Sequence, residues 1–324
     1  MSSETPRKRF KLSLPPQIKD LKDLIRISNT GLFYKHLDTI ALWRIQPHLE
    51  KLDSMIGMEN VKKSIFRQIV YYIQGMHTRD VNGEYLHTRI VGPPGTGKTT
   101  IAHIISDIYK DIGILKGDGE VNLVHRDDFV AGYVGQTAIK TKKLLTKCIG
   151  GVLFYDEGYS MGSNRDDDSF AKEAVDTLTS FLSEHKTDFC FIIAGYEEDI
   201  DKYFFSINKG LARRIPWCHK IEKYTSDNLA FIVLKMIKDI NWFTIVIHKD
   251  ISELISQNMD LFSNSGGDIE NFISKSKICH ANRVFSLCPE IKFILTHEDF
   301  TEAIELIKQN QQNKEDSKYI SMYS

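Results

Sequence analysis

The residues Gly92-Pro93-Pro94-Gly95-Thr96-Gly97-Lys98-Thr99 carry the reading of the fold. An apolar run ends just before them at Val91, and Ile101, Ile104, Ile105 and Ile108 follow at helical spacing. Strand, glycine-rich turn and helix in that order make a phosphate-binding loop. The glycines let the backbone turn tightly and bring N–H groups onto phosphate oxygens, and the helix starting near Lys98 adds the positive end of its dipole. The pattern G-x-x-x-x-G-K-[ST] assigns Lys98 to the β- and γ-phosphates of a bound nucleotide and the Thr99 hydroxyl to Mg²⁺, a hard cation that takes oxygen ligands. Thr100 is included in the expected nucleotide-binding run.

About sixty residues downstream, Gly151-Val152-Leu153-Phe154-Tyr155 reads as an apolar strand ending in Asp156-Glu157. In a parallel sheet the carboxyl ends of the strands face the ligand crevice. Asp156 is therefore expected in the Mg²⁺ shell and Glu157 beside the attacking water. Phosphoanhydride hydrolysis asks chiefly for charge neutralisation and water placement, which these residue types supply.

Further out, residues 86–91, 121–125 and 189–194 also read as buried strands separated by helical periods. That alternation predicts an α/β fold over residues 51–220, a parallel sheet with flanking crossover helices. After Ile221-Glu222-Lys223-Tyr224-Thr225 the pattern turns helical, with candidates at 227–239, 252–261, 268–281 and 297–309. Residues 221–310 are thus expected to form a small α-helical lid domain, and 311–324 a polar tail. Residues 1–50 read as an extension, with a basic run at Arg7, Lys8, Arg9 and Lys11 and then apolar residues at helical spacing. Such a run is a localisation signal, a nucleic-acid arm or a solvated tail.

Lys+Arg at 42 against Asp+Glu at 43 gives a formal net charge of −1, which argues against a uniformly basic nucleic-acid binder. The five cysteines are scattered without a C-x-x-C pair, fitting buried thiols in a reducing compartment better than a disulfide framework. No apolar run approaches the roughly 18 residues of a membrane span, and the amino terminus lacks an apolar signal core. A cytoplasmic or nuclear protein without a membrane partner is expected.

Other blocks accompany the phosphate loop and the carboxylate pair: Ile56-Gly57, Asp128-Phe129-Val130-Ala131-Gly132-Tyr133-Val134-Gly135-Gln136-Thr137-Ala138, Gly158-Tyr159, Ile193-Ala194-Gly195-Tyr196 and Asn208-Lys209-Gly210-Leu211-Ala212-Arg213-Arg214-Ile215. Ala281-Asn282-Arg283-Val284-Phe285 is a weaker match. With these blocks in this order the chain resembles AAA+ ATPases, and more narrowly the CbbX/SpoVK-like group that includes the red-type Rubisco activase. The resemblance implies a P-loop NTPase fold, Mg²⁺-dependent ATP hydrolysis and a homo-oligomeric ring, usually a hexamer, that grips a protein client in its pore. It places Ile56 and Gly57 on the adenine side and Tyr133-Val134-Gly135 in the pore loop. It makes Arg214 the arginine finger given to the neighbouring subunit, a role typically worth about 10³–10⁵ in rate. Tyr196 stands where many members carry a polar residue that senses the γ-phosphate.

The lid segment Ser265-Gly266-Gly267-Asp268-Ile269-Glu270-Asn271 lacks the arginine that the activase branch places near the phosphates. An aromatic, uncharged pore loop favours a polypeptide client over nucleic acid, whose backbone calls for Lys or Arg. Lys140, Lys142 and Lys143 beyond that loop read as a solvated helix face, and Arg165-Asp166-Asp167-Asp168 as a solvated insertion. A nucleic-acid motor or loader, and a slow nucleotide-gated assembly scaffold, are the other readings.

Overall fold

Unbroken apolar runs make strands that are covered on both faces, and these form the centre of the first of two units in the computed structural model. The structure describes residues 17–34, 37–79, 83–117, 119–133, 135–162, 168–285 and 291–322. The first unit is Met1–Gly92 with Lys98–Ile221, and the second is Pro93–Gly97 with Glu222–Ser324.

In the first unit β1 (Thr88–Val91), β2 (Val121–Val124), β3 (Val152–Tyr155), β4 (Cys190–Gly195) and β5 (Trp217–Lys220) pair in the order β2-β3-β4-β1-β5. Every neighbouring pair is parallel. β3 and β4 are buried along their whole length. The apolar pattern does not mark β5, whose Trp-Cys-His-Lys is half polar. It is accommodated because His219 is buried between Ser64 Oγ and Gln68 Oε1, each at 3.0 Å.

Helices α1 (Leu21–Asn29), α2 (Thr39–Asp53), α3 (Glu59–Ile73), α4 (Lys98–Ile112), α5 (Arg126–Phe129), α6 (Thr137–Lys147), α7 (Ser169–Glu184) and α8 (Glu197–Ile200) surround the sheet. The helices expected as an extension are packed into this unit. α2 buries Leu42, Ile45, Leu49 and Leu52, and His48 reaches Asp111 of α4 at 2.9 Å. The basic run at 7–11 lies outside the described residues.

The second unit holds α9 (Ser226–Asp239), α10 (His248–Ser256), α11 (Gly266–Val284) and α12 (His297–Met322), packed around Leu229, Val233, Phe262, Ile269, Phe272 and Phe300. Thr225 caps α9 by accepting from Asn228 N at 3.2 Å. The unit is not wholly helical: β6 (Phe243–Thr244) and β7 (Ile294–Leu295) form a short parallel pair. The stretch expected as a polar tail continues as the backbone of α12 to Met322. Lack of an apolar face argues against burial but not against helix, and Glu, Lys and Gln are good helix formers. No helix among the described residues is long and apolar enough to cross a membrane.

Candidate nucleotide site

The end of β1 is fixed from both sides. Gly92 N donates to Gly195 O at 3.0 Å, and Ile221 N donates to Val91 O at 2.8 Å. A side chain at Gly92 would meet Ile221 Cβ at 2.8 Å, so the close approach of the two segments requires glycine there. α4 starts at Lys98, whose Nζ donates to Gly92 O at 3.2 Å. Thr99 and Thr100 are exposed on its first turn.

Lys98 is half-buried. Burial draws its ammonium below the ordinary lysine range, and the carboxylates of Asp156 and Glu157 oppose that shift. The structure thus brings together three residues that the sequence separates by nearly sixty positions. Asp156 Oδ1 accepts from Glu157 N at 3.0 Å. Glu157 adopts a left-handed backbone, φ 52° and ψ 47°, which costs a non-glycine residue on the order of 1 kcal/mol. The turn is held by Ser160 N donating to Glu157 O at 2.8 Å and by a 2.9 Å hydrogen bond between Tyr155 Oη and Ser160 Oγ. A strained turn leaving a buried strand fixes where the exposed Glu157 side chain starts. Lysine, a hydroxyl and a carboxylate suit a triphosphate and a hard cation that keeps most of its waters.

The crown of the loop, Pro93–Gly97, belongs to the second unit. Thr96 Oγ1 donates to Pro93 O at 2.7 Å, Tyr224 Oη donates to Thr96 O at 3.3 Å, and Gly266 N donates to Gly95 O at 3.1 Å. Gly95 has φ 66°, and a Cβ there would run into the Asn264 carbonyl oxygen. The loop conformation therefore excludes side chains where a phosphate loop needs bare backbone.

The remaining expected residues lie elsewhere in the first unit. Ile56 and Gly57 are half-buried in the turn between α2 and α3, with left-handed backbone at Gly57 and Met58. Tyr196 follows β4 as the residue before α8 and is 42% exposed. Tyr133 is 74% exposed, Gly135 stands in open space with φ 79°, and Val134 lies outside the described residues. Arg214 is tied to its own chain: Nε donates to Ser183 Oγ at 2.6 Å and Nη1 to Gly210 O at 2.7 Å. Its neighbour Arg213 is exposed.

Lys140 is exposed, in keeping with its solvated reading, whereas Asp168 corrects the solvated reading of the insertion. Lys140 Nζ donates to Val130 O at 2.9 Å and to Asp127 O, covering carbonyls near the end of α5. Asp168 accepts from Ala171 N at 3.0 Å as the cap of α7 and pairs with Arg126. Residues 165–167 lie outside the described residues. Sequence reading also missed the brace around Arg214. Asn208 supports it, its Nδ2 donating to Asp176 Oδ1 at 2.8 Å and its Oδ1 accepting from Gly210 N at 2.9 Å. The Asn-x-Gly turn was the available signal for the second of these bonds; nothing local announces Ser183 or Tyr224.

A parallel sheet, a glycine loop opening a helix and an acid pair ending a central strand define a P-loop nucleotide-binding protein. Residues 89–214 match the ATPase family associated with various cellular activities (AAA). The chain is 32% identical to the chloroplastic ribulose bisphosphate carboxylase/oxygenase activase of Cyanidioschyzon merolae, over 75% of this chain and 85% of that protein. It is 36% identical to a cfxQ-like protein of Acanthamoeba polyphaga mimivirus, over 76% of this chain and 60% of the relative. With stage V sporulation protein K of Bacillus subtilis it shares 35% identity over 59% of each chain. The chain thus spans about three fifths of the length of these last two relatives. Among solved structures, the FIGL-1 AAA domain in complex with ADP aligns with a TM-score of 0.56 at 15% identity, over 78% of this chain and 83% of that one. That likeness is one of fold. The chain belongs to the AAA ATPase family, in the group of the CfxQ-like proteins and SpoVK.

Proposed function

We propose that the chain is an Mg²⁺-dependent ATPase that works as a homo-oligomeric ring, a hexamer, to remodel a polypeptide client. The observation that carries this reading is the half-buried Lys98 coupled to Asp156 and to Glu157, with Glu157 launched from a strained turn. Lys98 neutralises charge on the β- and γ-phosphates, and the backbone N–H groups of the glycine loop bind their oxygens. Thr99 and Asp156 hold Mg²⁺, which when bound offsets further charge on the same oxygens. Glu157 accepts a hydrogen bond from the attacking water and orients it. Ile56 and Gly57 border the adenine, and Tyr196 senses the γ-phosphate.

Arg214 completes the site of the neighbouring subunit. Its Nε and Nη1 bonds to Ser183 and Gly210 hold the guanidinium in one orientation, which suits a group that must meet a developing charge without reorganising. Tyr133, exposed at the tip of the loop before α6, together with Val134 and Gly135, grips the client. An unfolded polypeptide should therefore raise the ATPase rate, whereas stimulation by single- or double-stranded DNA alone would replace the polypeptide client with nucleic acid. Equally slow turnover in wild type and Glu157→Gln would replace the motor with a nucleotide-gated scaffold.

A further inference from the structure

We infer that the outward face of α6 is a docking surface for an acidic polypeptide segment that carries an apolar side chain. α6 buries Thr137, Thr141 and Leu145 against the body of the first unit, where it packs on α5 and α7. The opposite face presents Ile139, Lys142, Lys143, Thr146 and Lys147, spaced i, i+3, i+4, i+7 and i+8, and all five are exposed. Ile139 is 70% exposed and adds an aliphatic side chain to this basic face. The same five residues line one shallow open hollow of about 480 Å³.

Charge on this face is one-signed. From Phe129 to Tyr155 the sequence holds four lysines and no acid. The exposed Lys140 is hydrogen-bonded to the Val130 and Asp127 carbonyls, whereas Lys142, Lys143 and Lys147 make no ion pair among the described residues. Lysine stems are apolar and their ammonium heads are free to reach outward, so the hollow has carbon walls and a cationic rim. A partner with a Leu or Phe flanked by Asp and Glu matches both parts. Nucleic acid would match only the rim, because this face offers neither arginine nor an aromatic ring for base stacking. As a statement about the client, the inference rests on the remodelling function proposed above; the docking surface itself does not.

The test is fluorescence anisotropy on the full chain, using a short labelled Glu/Asp-rich peptide with a central Leu. The comparison probes are the same peptide with Ser for Leu, its Lys-for-acid counterpart, and single-stranded DNA of equal charge. The acidic Leu peptide should bind most tightly, weaken as salt rises, and lose affinity about tenfold with Lys142→Glu/Lys143→Glu. Lys142→Ser/Lys143→Ser and Ile139→Ser should each lose several-fold. Thermal melts of all variants should stay at the wild-type value, since the positions are exposed. Affinity unchanged by charge reversal, equal binding of the Ser peptide, or tighter binding of the DNA would each overturn the inference. ATPase assays on the same samples separate the two readings. Charge-sensitive peptide binding without stimulated hydrolysis keeps the docking surface and removes the motor. Polypeptide-stimulated hydrolysis with binding indifferent to charge reversal removes the docking surface and keeps the motor.

Discussion

The ends of β1 and β3 and the outer face of α6 treat lysine in opposite ways. Lys98 is half-buried, hydrogen-bonded to Gly92 O and coupled to two carboxylates, and the turn facing it holds Glu157 in a left-handed conformation. Lys142, Lys143 and Lys147 stand in solvent with no carboxylate on their helix. Partial burial lowers the effective dielectric, so a charge arrangement set before the reaction acts strongly at the strand ends. In full solvent the same charges are screened and individually weak, which suits reversible contact with partners of varied sequence. On the functions proposed above, the first arrangement serves the chemistry and the second a recognition that salt can tune.

The largest expected effect tests the first half of that contrast. Lys98→Ala should abolish tight ATP binding and lower turnover by several orders of magnitude, read by a fluorescent nucleotide and by phosphate release. The variant also loses the hydrogen bond from Lys98 Nζ to Gly92 O, so its melting curve is read beside the assay. Near-normal turnover would remove the strand ends from catalysis.

Arg214→Ala comes next, with turnover lower by about 10³ and ATP binding retained. Mixing it with Glu157→Gln should restore part of the turnover, since each supplies what the other lacks across a shared site. A lower melting temperature should accompany the change because Ser183 and Gly210 lose their partner. A lower melting temperature without rescue would make Arg214 a brace alone. Tyr133→Ala is expected to keep basal hydrolysis within about twofold, as an exposed residue outside the nucleotide site, and to lose work on a client. Retained remodelling would move the grip elsewhere.

The smallest effect concerns stability against pH and contrasts the two units. In the first, burial holds His219 at about 4. Its folded value lies below the unfolded value of about 6.5, so its contribution is complete above that pH and is lost as pH falls toward 4. In the second, burial works against the charge of Asp299, yet hydrogen bonds from Arg283, Thr296 and His280 hold its carboxyl at about 2. Its contribution is present above about 4 and lost as pH falls toward 2. Melting curves should therefore show His219→Gln flattening the pH dependence between about 6.5 and 4, and Asp299→Asn flattening it only below about 4. The reverse assignment would mean that the groups are not buried as described.

These regions also differ in how far sequence alone reveals them. The phosphate loop and the acid pair are legible because each is a short run whose chemistry needs adjacent residues, and β1, β3 and β4 because both faces of a central parallel strand must be apolar. β5 escapes that rule as an edge strand whose His219 finds Ser64 and Gln68, more than 150 positions away in sequence. The brace on Arg214 is likewise a contact across 31 positions. The lysines of α6 are visible in sequence as a charge run, but only packing separates Lys140, turned onto backbone carbonyls, from Lys142 and Lys143, which face outward.

Glu157, set by its strained turn opposite Lys98, is proposed to orient the water that cleaves ATP. Steady-state phosphate release with saturating Mg²⁺ and ATP, wild type against Glu157→Gln, tests it most directly, with nucleotide affinity measured on the same preparations. Unchanged ATP affinity with turnover lower by about 10²–10³ is expected; equal turnover in the two proteins would contradict this role of Glu157.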